Sequence, residues 1–337
     1  MTTESSYHSA NPEIQTLTEQ SKTYAKQIMT IVDEVQKVIV GQEEVIKKLV
    51  IAMMADGHVL LEGVPGLAKT KMVDTLSKTL GANFCRIQFT PDLLPADITG
   101  TKIYDNKNEK FVTEKGPVFS NLILADEINR APPKVQSALL EAMQERQVSI
   151  HGDTFEIEKP FLVLATQNPI ESEGTYRLPE AQIDRFALKL IINYPSKDHE
   201  KLIIQRNTQE NKPTAKNIVS KDVVLEIQKF VQKIYADEKI EEYVASIIDA
   251  TRNPREYGVD LVDMIEFGAS PRASIWLILT AKAHALLNGR GFVIPEDVKD
   301  VVHDVLRHRI TLTYEADAEG MTTDRIIDLI MDKIRSP

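Results

Sequence analysis

From His58 to Leu80 the chain reads HVLLEGVPGLAKTKMVDTLSKTL, an apolar run, a turn of small residues and then an amphipathic helix. No other stretch constrains the fold as tightly. A glycine turn between a strand and a helix N-terminus aims backbone N–H groups and the positive end of the helix dipole at one point, which suits a polyphosphate. In GVPGLAKT the loop is Gly63, Val64, Pro65, Gly66, Leu67 and Ala68; Lys69 would reach the β- and γ-phosphates and the Thr70 hydroxyl would hold Mg²⁺. The usual pattern has Gly immediately before the Lys, and Ala68 stands there instead. That departure is tolerable if the backbone takes a helical φ below zero, where alanine costs nothing sterically. Gly63 and Gly66 do not have the GxGxxG spacing of a dinucleotide fold.

The alternation continues. Phe84–Phe89, Leu122–Ala125 and Phe161–Ala165 read as apolar strands, and Lys71–Leu80 and Lys134–Arg146 as amphipathic helices. Apolar strands between such helices predict a buried parallel sheet flanked by helices. Upstream, between Ile28 and Ala55, residues Val45, Ile46, Leu49, Val50 and Met53 share one helical face. Past Pro195 strand signals nearly vanish, while Val223–Ile234, Ile240–Ile248, Pro271–Asn288, Pro295–His308 and Thr322–Ile334 read as helices. The expected organisation is a flexible tail over 1–24, an α/β core over 25–195 and an all-α domain over 196–337. A chain of 337 residues, 42% hydrophobic, can bury a core of that size.

Composition narrows the class of function. A formal charge of −10 argues against a general nucleic-acid binder, which needs surplus Lys and Arg on the phosphates. The single cysteine, Cys85, forms no internal disulfide and reads as a core thiol, which fits an intracellular chain. No apolar run approaches the roughly 18 to 20 residues that cross a bilayer, and the polar start lacks the pattern of a signal peptide, so a cytoplasmic location is expected. The histidines His58, His151, His284, His303 and His308 lack metal-ligand spacing, and neither HExxH nor GxSxG occurs.

Two further strands carry polar residues at their ends. In NLILADEINR, Leu122 to Leu124 lead to Asp126 and Glu127 at the sheet edge where open α/β folds bind ligands. Asp126 would reach the Mg²⁺ shell and Glu127 would polarise the attacking water, although a solvated acidic turn has the same residues. In VLATQNP, Asn168 before Pro169 is either a turn signal or an amide placed between the γ-phosphate and the water.

GVPGLAKT, LILADEINRAPPKVQSALLEAMQERQVSI, VLATQNPIESEGTYRLPEAQIDRF and GASPRASI together resemble the MoxR branch of the AAA+ ATPases, over about Val38 to Ile310. The resemblance implies an α/β P-loop NTPase core followed by an all-α AAA+ lid. It makes Lys69 and Thr70 the Walker A contacts, Asp126 and Glu127 the Walker B pair and Asn168 the first sensor. Arg185 becomes an arginine finger reaching a neighbouring subunit; without the resemblance it reads as a surface ion pair. Such a finger contributes about 10³ to 10⁵ in rate, so the family must oligomerise to be active, and a homo-oligomeric ring, a hexamer, is implied. Arg272 becomes the second sensor: Ser270 and Pro271 can cap and start its helix, and a cation in a first turn opposes the dipole, which favours a ligand-facing role. Val40 and Gly41 lie where adenine contacts are implied, though apolar packing explains Val40 as well. Arg130 can serve a neighbour or an ordinary ion pair.

Runs 101–113 and 147–157 read as hairpins, the second turning at Gly152 and Asp153, which are either edge ribbons or contacts to a substrate or ring pore. The implied function is ATP hydrolysis, with ATP and Mg²⁺, coupled to remodelling a partner protein with a von Willebrand factor A domain; this chain has no DxSxS motif of its own. The alternatives are the motor of a metal chelatase, a nucleotide-gated scaffold with little turnover and a DNA-acting motor.

Overall fold

The computed structural model describes residues 12–64, 66–167, 174–261 and 263–337. The chain divides into two compact units, one of Ile31–Phe186 and Leu190–Leu225, the other of Ala187–Lys189, Glu226–Pro337 and the residues up to Thr30. The organisation expected from sequence is corrected at both ends of the core. Residues 196–225 cluster with the α/β unit. The stretch 12–24, expected to be a flexible tail, is helical and opens α1 (Pro12–Val38). Its polar composition hides a stripe at helical spacing: Ser21 and Ile28 are buried, and the Tyr24 ring packs on Phe230 with centroids 4.7 Å apart.

The helical pattern over 28–55 is broken between α1 and α2 (Glu43–Met54). Gly41 makes the break: its φ is +74°, and a Cβ there would stand 2.6 Å from the His199 ring. Next come β1 (Val59–Glu62), α3 (Lys69–Thr79), β2 (Phe84–Gln88), α4 (Pro95–Thr99), the hairpin β3 (Gly100–Asp105) and β4 (Lys110–Lys115), β5 (Leu122–Asp126) and α5 (Pro133–Glu145). A second hairpin, β6 (Gln147–Ile150) and β7 (Asp153–Glu156), precedes β8 (Leu162–Gln167), α6 (Glu180–Ile183), β9 (Leu188–Ile191) and α7 (Lys197–Thr208). The second hairpin turns one residue earlier than expected, at His151 and Gly152, because Asp153 pairs with Ile150. Both turn residues have positive φ, the requirement of a two-residue hairpin loop.

The main sheet has the order β2-β5-β8-β1-β9, and β2 with β5, β5 with β8 and β8 with β1 pair in parallel. Its central strands are apolar on both faces: Leu122 to Ala125 and Leu162 to Ala165 are all buried. The order matters because β1 lies beside β8 and β8 beside β5, so three carboxyl-terminal strand ends, at Glu62, Gln167 and Asp126, lie side by side. At the edge, β2 sets Gln88 opposite Asp126.

The other unit is helical, as expected, apart from a small two-stranded sheet. It contains α8 (Lys221–Lys233) from Glu226 onward, α9 (Glu238–Ala250), β10 (Ile265–Phe267), α10 (Pro271–Leu287), α11 (Pro295–Leu306), β11 (Thr311–Leu312), α12 (Tyr314–Ala318) and α13 (Thr323–Lys333). Ala273, Leu277, Ala281 and Ala285 of α10 are buried, the mark of a central helix. At the start of α11 the fully buried Asp297 carboxylate accepts the Ile294 N–H at 2.9 Å, both Arg290 Nη atoms at 2.6 Å and His284 Nδ1 at 2.7 Å. Burial alone would raise its pKa, but the Arg290 and His284 hydrogen bonds outweigh it and hold the carboxyl below its ordinary value.

Candidate active site

The turn after β1 and the ends of β5 and β8 enclose a cavity of about 470 Å³. Gly63, Gly66, Leu67, Ala68, Lys69 and Thr70 line one side, and Asp126, Glu127 and Arg86 the other. The residues that sequence reading assigned to phosphate, metal and water therefore come together although they lie far apart in the chain. Lys69 opens α3 and donates from Nζ to the Gly63 carbonyl. Burial lowers its pKa from the ordinary lysine value, against the opposing pull of Asp126, Glu127 and Glu62.

The φ of Ala68 is +55° and its ψ 25°, left-handed, so the negative φ at which alanine would cost nothing is not met. The turn itself demands the conformation that glycine adopts freely, and alanine accepts the strain, of about 1 to 2 kcal/mol. Glu127 is also left-handed, with φ 57°. Strained backbone of this kind persists where the surroundings over-determine it. Here the Glu127 N–H donates to the Thr166 hydroxyl at 2.8 Å, and that hydroxyl donates to Asp126 Oδ1 at 2.6 Å. Thr166, buried on β8, thereby ties the two carboxylate residues to the neighbouring strand.

Both carboxylates have further partners from β2 and from the turn after β5. Arg86 donates from Nε at 3.0 Å and from Nη2 at 2.6 Å to Asp126 Oδ2. Gln88 Nε2 donates to Glu127 Oε2 at 3.0 Å, and Arg130 Nε lies 3.1 Å from the same oxygen. Sequence reading missed Arg86, Gln88 and Thr166. The available signal was period two on β2, which puts Arg86 and Gln88 on one face of a strand otherwise read as apolar.

A second cavity of about 170 Å³ shares Gly66, Leu67, Ala68 and Lys71 with the first and is otherwise walled by the apolar Val38, Ile39, Val40, Pro195 and Ile203 and the polar Gln42 and Asn207. Val40 stands where an adenine contact was expected. Gly41 is not among the lining residues and serves the chain break beside His199. Helix α7 is fastened here by Arg206, whose Nη1 donates to the carbonyls of Gln36 at 3.2 Å and Lys37 at 2.8 Å at the end of α1. A polar cavity joined to an apolar one at a helix N-terminus fits a nucleotide, and the oxygen donors Thr70 and Asp126 fit a hard cation such as Mg²⁺.

The remaining expected residues divide as follows. Asn168 and Pro65 lie outside the described residues. Val64 is partly buried beside the loop and does not line the cavity. Arg130 pairs with Glu127 of its own chain. Arg185, just after α6, has a buried Nε with no hydrogen-bond partner among the described residues. Arg272 lies in the helical unit, where Ser270 Oγ caps its N–H at 3.2 Å and Pro271 takes the first helical position, as expected. Among the described residues no cluster of His, Cys, Asp and Glu forms another metal site, and no helix is long and apolar enough to cross a membrane.

Comparison with known proteins agrees with this geometry. The profile of the ATPase family associated with various cellular activities (AAA) matches residues 58–188, and that of the AAA lid domain matches residues 262–330. The chain is 47% identical to chaperone MoxR1 of Mycobacterium tuberculosis, over 98% of this chain and 88% of the relative. It is 30% identical to protein MoxR of Methylorubrum extorquens, over 90% of this chain and 93% of the relative. The crystal structure of a candidate ATPase from Cytophaga hutchinsonii superposes with a TM-score of 0.91 at 50% identity, covering 97% of this chain and all of that one. The chain belongs to the AAA ATPase family, as a member of its MoxR branch.

Proposed function

We propose that this chain hydrolyses ATP with Mg²⁺, as one subunit of a homo-oligomeric ring, a hexamer, and uses the turnover to remodel a client protein carrying a von Willebrand factor A domain, in the cytoplasm. The observation that carries the reading is the convergence of Lys69, Thr70, Asp126 and Glu127 on one cavity at the N-terminus of α3. Lys69 and the loop N–H groups bind and orient the phosphates. Thr70 and Asp126 would hold Mg²⁺, which when bound would supply neutralisation of the charge developing on the phosphoryl oxygens. Glu127, its backbone set by Thr166 and its carboxylate by Gln88, orients the attacking water and takes its proton. Asn168 is assigned to sense the γ-phosphate, and Arg272 to act as a second sensor.

Arg185 is assigned to the neighbouring subunit's site, and its Nε, unpartnered among the described residues, supports that role. The apolar cavity beside Val40 takes the adenine. For the client the support is the family and the chaperone name of the mycobacterial relative. The test is steady-state phosphate release. The wild-type chain is expected to turn ATP over with a rate that rises with protein concentration as rings form. Release near background at all concentrations, with ATP bound, would instead make this a scaffold. Capture on the Glu127→Gln variant is expected to retain a protein with a von Willebrand factor A domain, and a metal-chelatase subunit in its place would replace the client assignment.

A further inference from the structure

Arg86 holds one half of the carboxylate pair, Asp126, directly and reaches the other, Glu127, through Gln88. Its guanidinium holds Asp126 Oδ2 through two nitrogens, at 3.0 and 2.6 Å, while Thr166 holds Oδ1. The same Nη2 donates to Gln88 Oε1 at 2.6 Å. With its amide oxygen taken by the guanidinium, Gln88 turns its NH₂ toward Glu127. One arginine thus neutralises the carboxylate assigned to the metal and sets the orientation of the amide that holds the carboxylate assigned to the water. Arg86 is 47% exposed and Asp126 17%, so the pair can exchange with solvent species, unlike an ion pair sealed in a core.

We propose that Arg86 is a metal gate. In the nucleotide-free chain it stands on Asp126 as an internal counter-cation, so bare Mg²⁺ does not take the site first. A nucleotide arriving with its own divalent cation displaces it, cation for cation. Mg²⁺ sheds its water reluctantly, so a guanidinium already seated with two N–H donors on one oxygen competes well against the hydrated ion. The freed guanidinium faces the same cavity as Lys69, where the incoming phosphates supply a new anionic partner. Its departure also frees the oxygen of Gln88, whose amide still donates to Glu127, as Arg130 still pairs with it.

The inference rests on Asp126 being the metal carboxylate, and the test separates the two. Mn²⁺ binding to the full-length chain is measured by titration calorimetry without nucleotide and with saturating ADP. Without nucleotide, Arg86→Gln is expected to bind Mn²⁺ about tenfold more tightly than wild type, and Arg86→Lys, which keeps the charge, to stay within about threefold of it. The gain is expected to vanish in the Arg86→Gln/Asp126→Asn double variant. With ADP bound, wild type and Arg86→Gln should converge to within about threefold, since the gate is then open in both. Equal nucleotide-free Mn²⁺ affinity in wild type and Arg86→Gln would overturn the gate while leaving the site assignment standing. A gain in Arg86→Lys as large as in Arg86→Gln would overturn the exchange of charge for charge. Undiminished Mn²⁺ binding by Asp126→Asn with ADP present would overturn the site assignment and the gate together.

Discussion

Two arginine–aspartate pairs, one in each unit, show how the same chemistry serves opposite ends. In the helical unit Asp297 has no exposed surface, and Arg290, His284 and the Ile294 N–H all come from its own chain. In the α/β unit Asp126 meets Arg86 at the mouth of a cavity, the arginine half exposed and both of its donors crowded on one oxygen. The first pair is saturated and sealed, so it stabilises a helix start; the second is open to exchange, so it can admit a ligand. Burial, more than the identity of the partners, decides which role a carboxylate takes.

The contrast can be broken by substitution, and the largest effect is expected where function crosses subunits. Arg185→Ala is predicted to lower ATP hydrolysis by about 10³ to 10⁵ with nucleotide binding intact, and mixing with Lys69→Ala protein to restore part of the rate. Failure of mixing to restore any activity would remove the finger acting in trans. Next, Glu127→Gln is predicted to slow phosphate release by about 10² to 10⁴ without shifting the melting temperature. Asp126→Asn is likewise predicted to abolish metal-dependent nucleotide binding at little cost in stability. A loss of stability in Asp126→Asn as large as in an Asp297 variant would end the distinction drawn between the two pairs.

Asp297→Ala is predicted to cost about 3 to 5 kcal/mol in denaturant unfolding, because it leaves the partly buried Arg290 without its counter-charge. The same pair carries a pH dependence. Its folded pKa lies below the unfolded value, so the stabilisation is full above the ordinary aspartate pKa of about 4 and is lost as pH falls through the folded pKa. Wild-type stability should therefore drop over that acid window more steeply than that of Asp297→Asn, as melting curves between about pH 2 and 5 would show. The smallest effect is local to the loop. Ala68→Gly removes the left-handed strain of alanine but adds freedom to the unfolded chain, for a net gain of about 0.5 to 1 kcal/mol. A loss of stability would mean that φ +55° is not strained there.

The fold was legible wherever periodicity was strong. The apolar strands ending at Asp126 and Gln167, the P-loop turn and the helices after Pro271 follow from burial on both faces of a sheet or from a stripe of period 3.6. What escaped was set by tertiary contact. The helix from Pro12 is polar in composition and is fixed by Tyr24 on Phe230 and by Ile28, which local propensity does not register. The break at Gly41 depends on His199, distant in sequence. In the site, the residues expected to do chemistry were readable because a turn or strand end advertises them. Arg86, Gln88 and Thr166, which hold those residues in place, lie inside strands and become visible only when the sheet order sets β2, β5 and β8 side by side. The conformation of Ala68 could not be read from the residue, because the loop imposes its path on it.

The central claim is that Lys69, Thr70, Asp126 and Glu127 close around one metal-bound triphosphate. Anomalous diffraction from crystals grown with Mn²⁺ and a non-hydrolysable ATP analogue tests it most directly. The account predicts a single strong metal peak at about 2.1 to 2.3 Å from the Thr70 hydroxyl, with Asp126 bound to it directly or through one water, and Lys69 on the terminal phosphates. A metal peak away from Thr70 and Asp126, or an analogue seated outside the cavity at the N-terminus of α3, would contradict it.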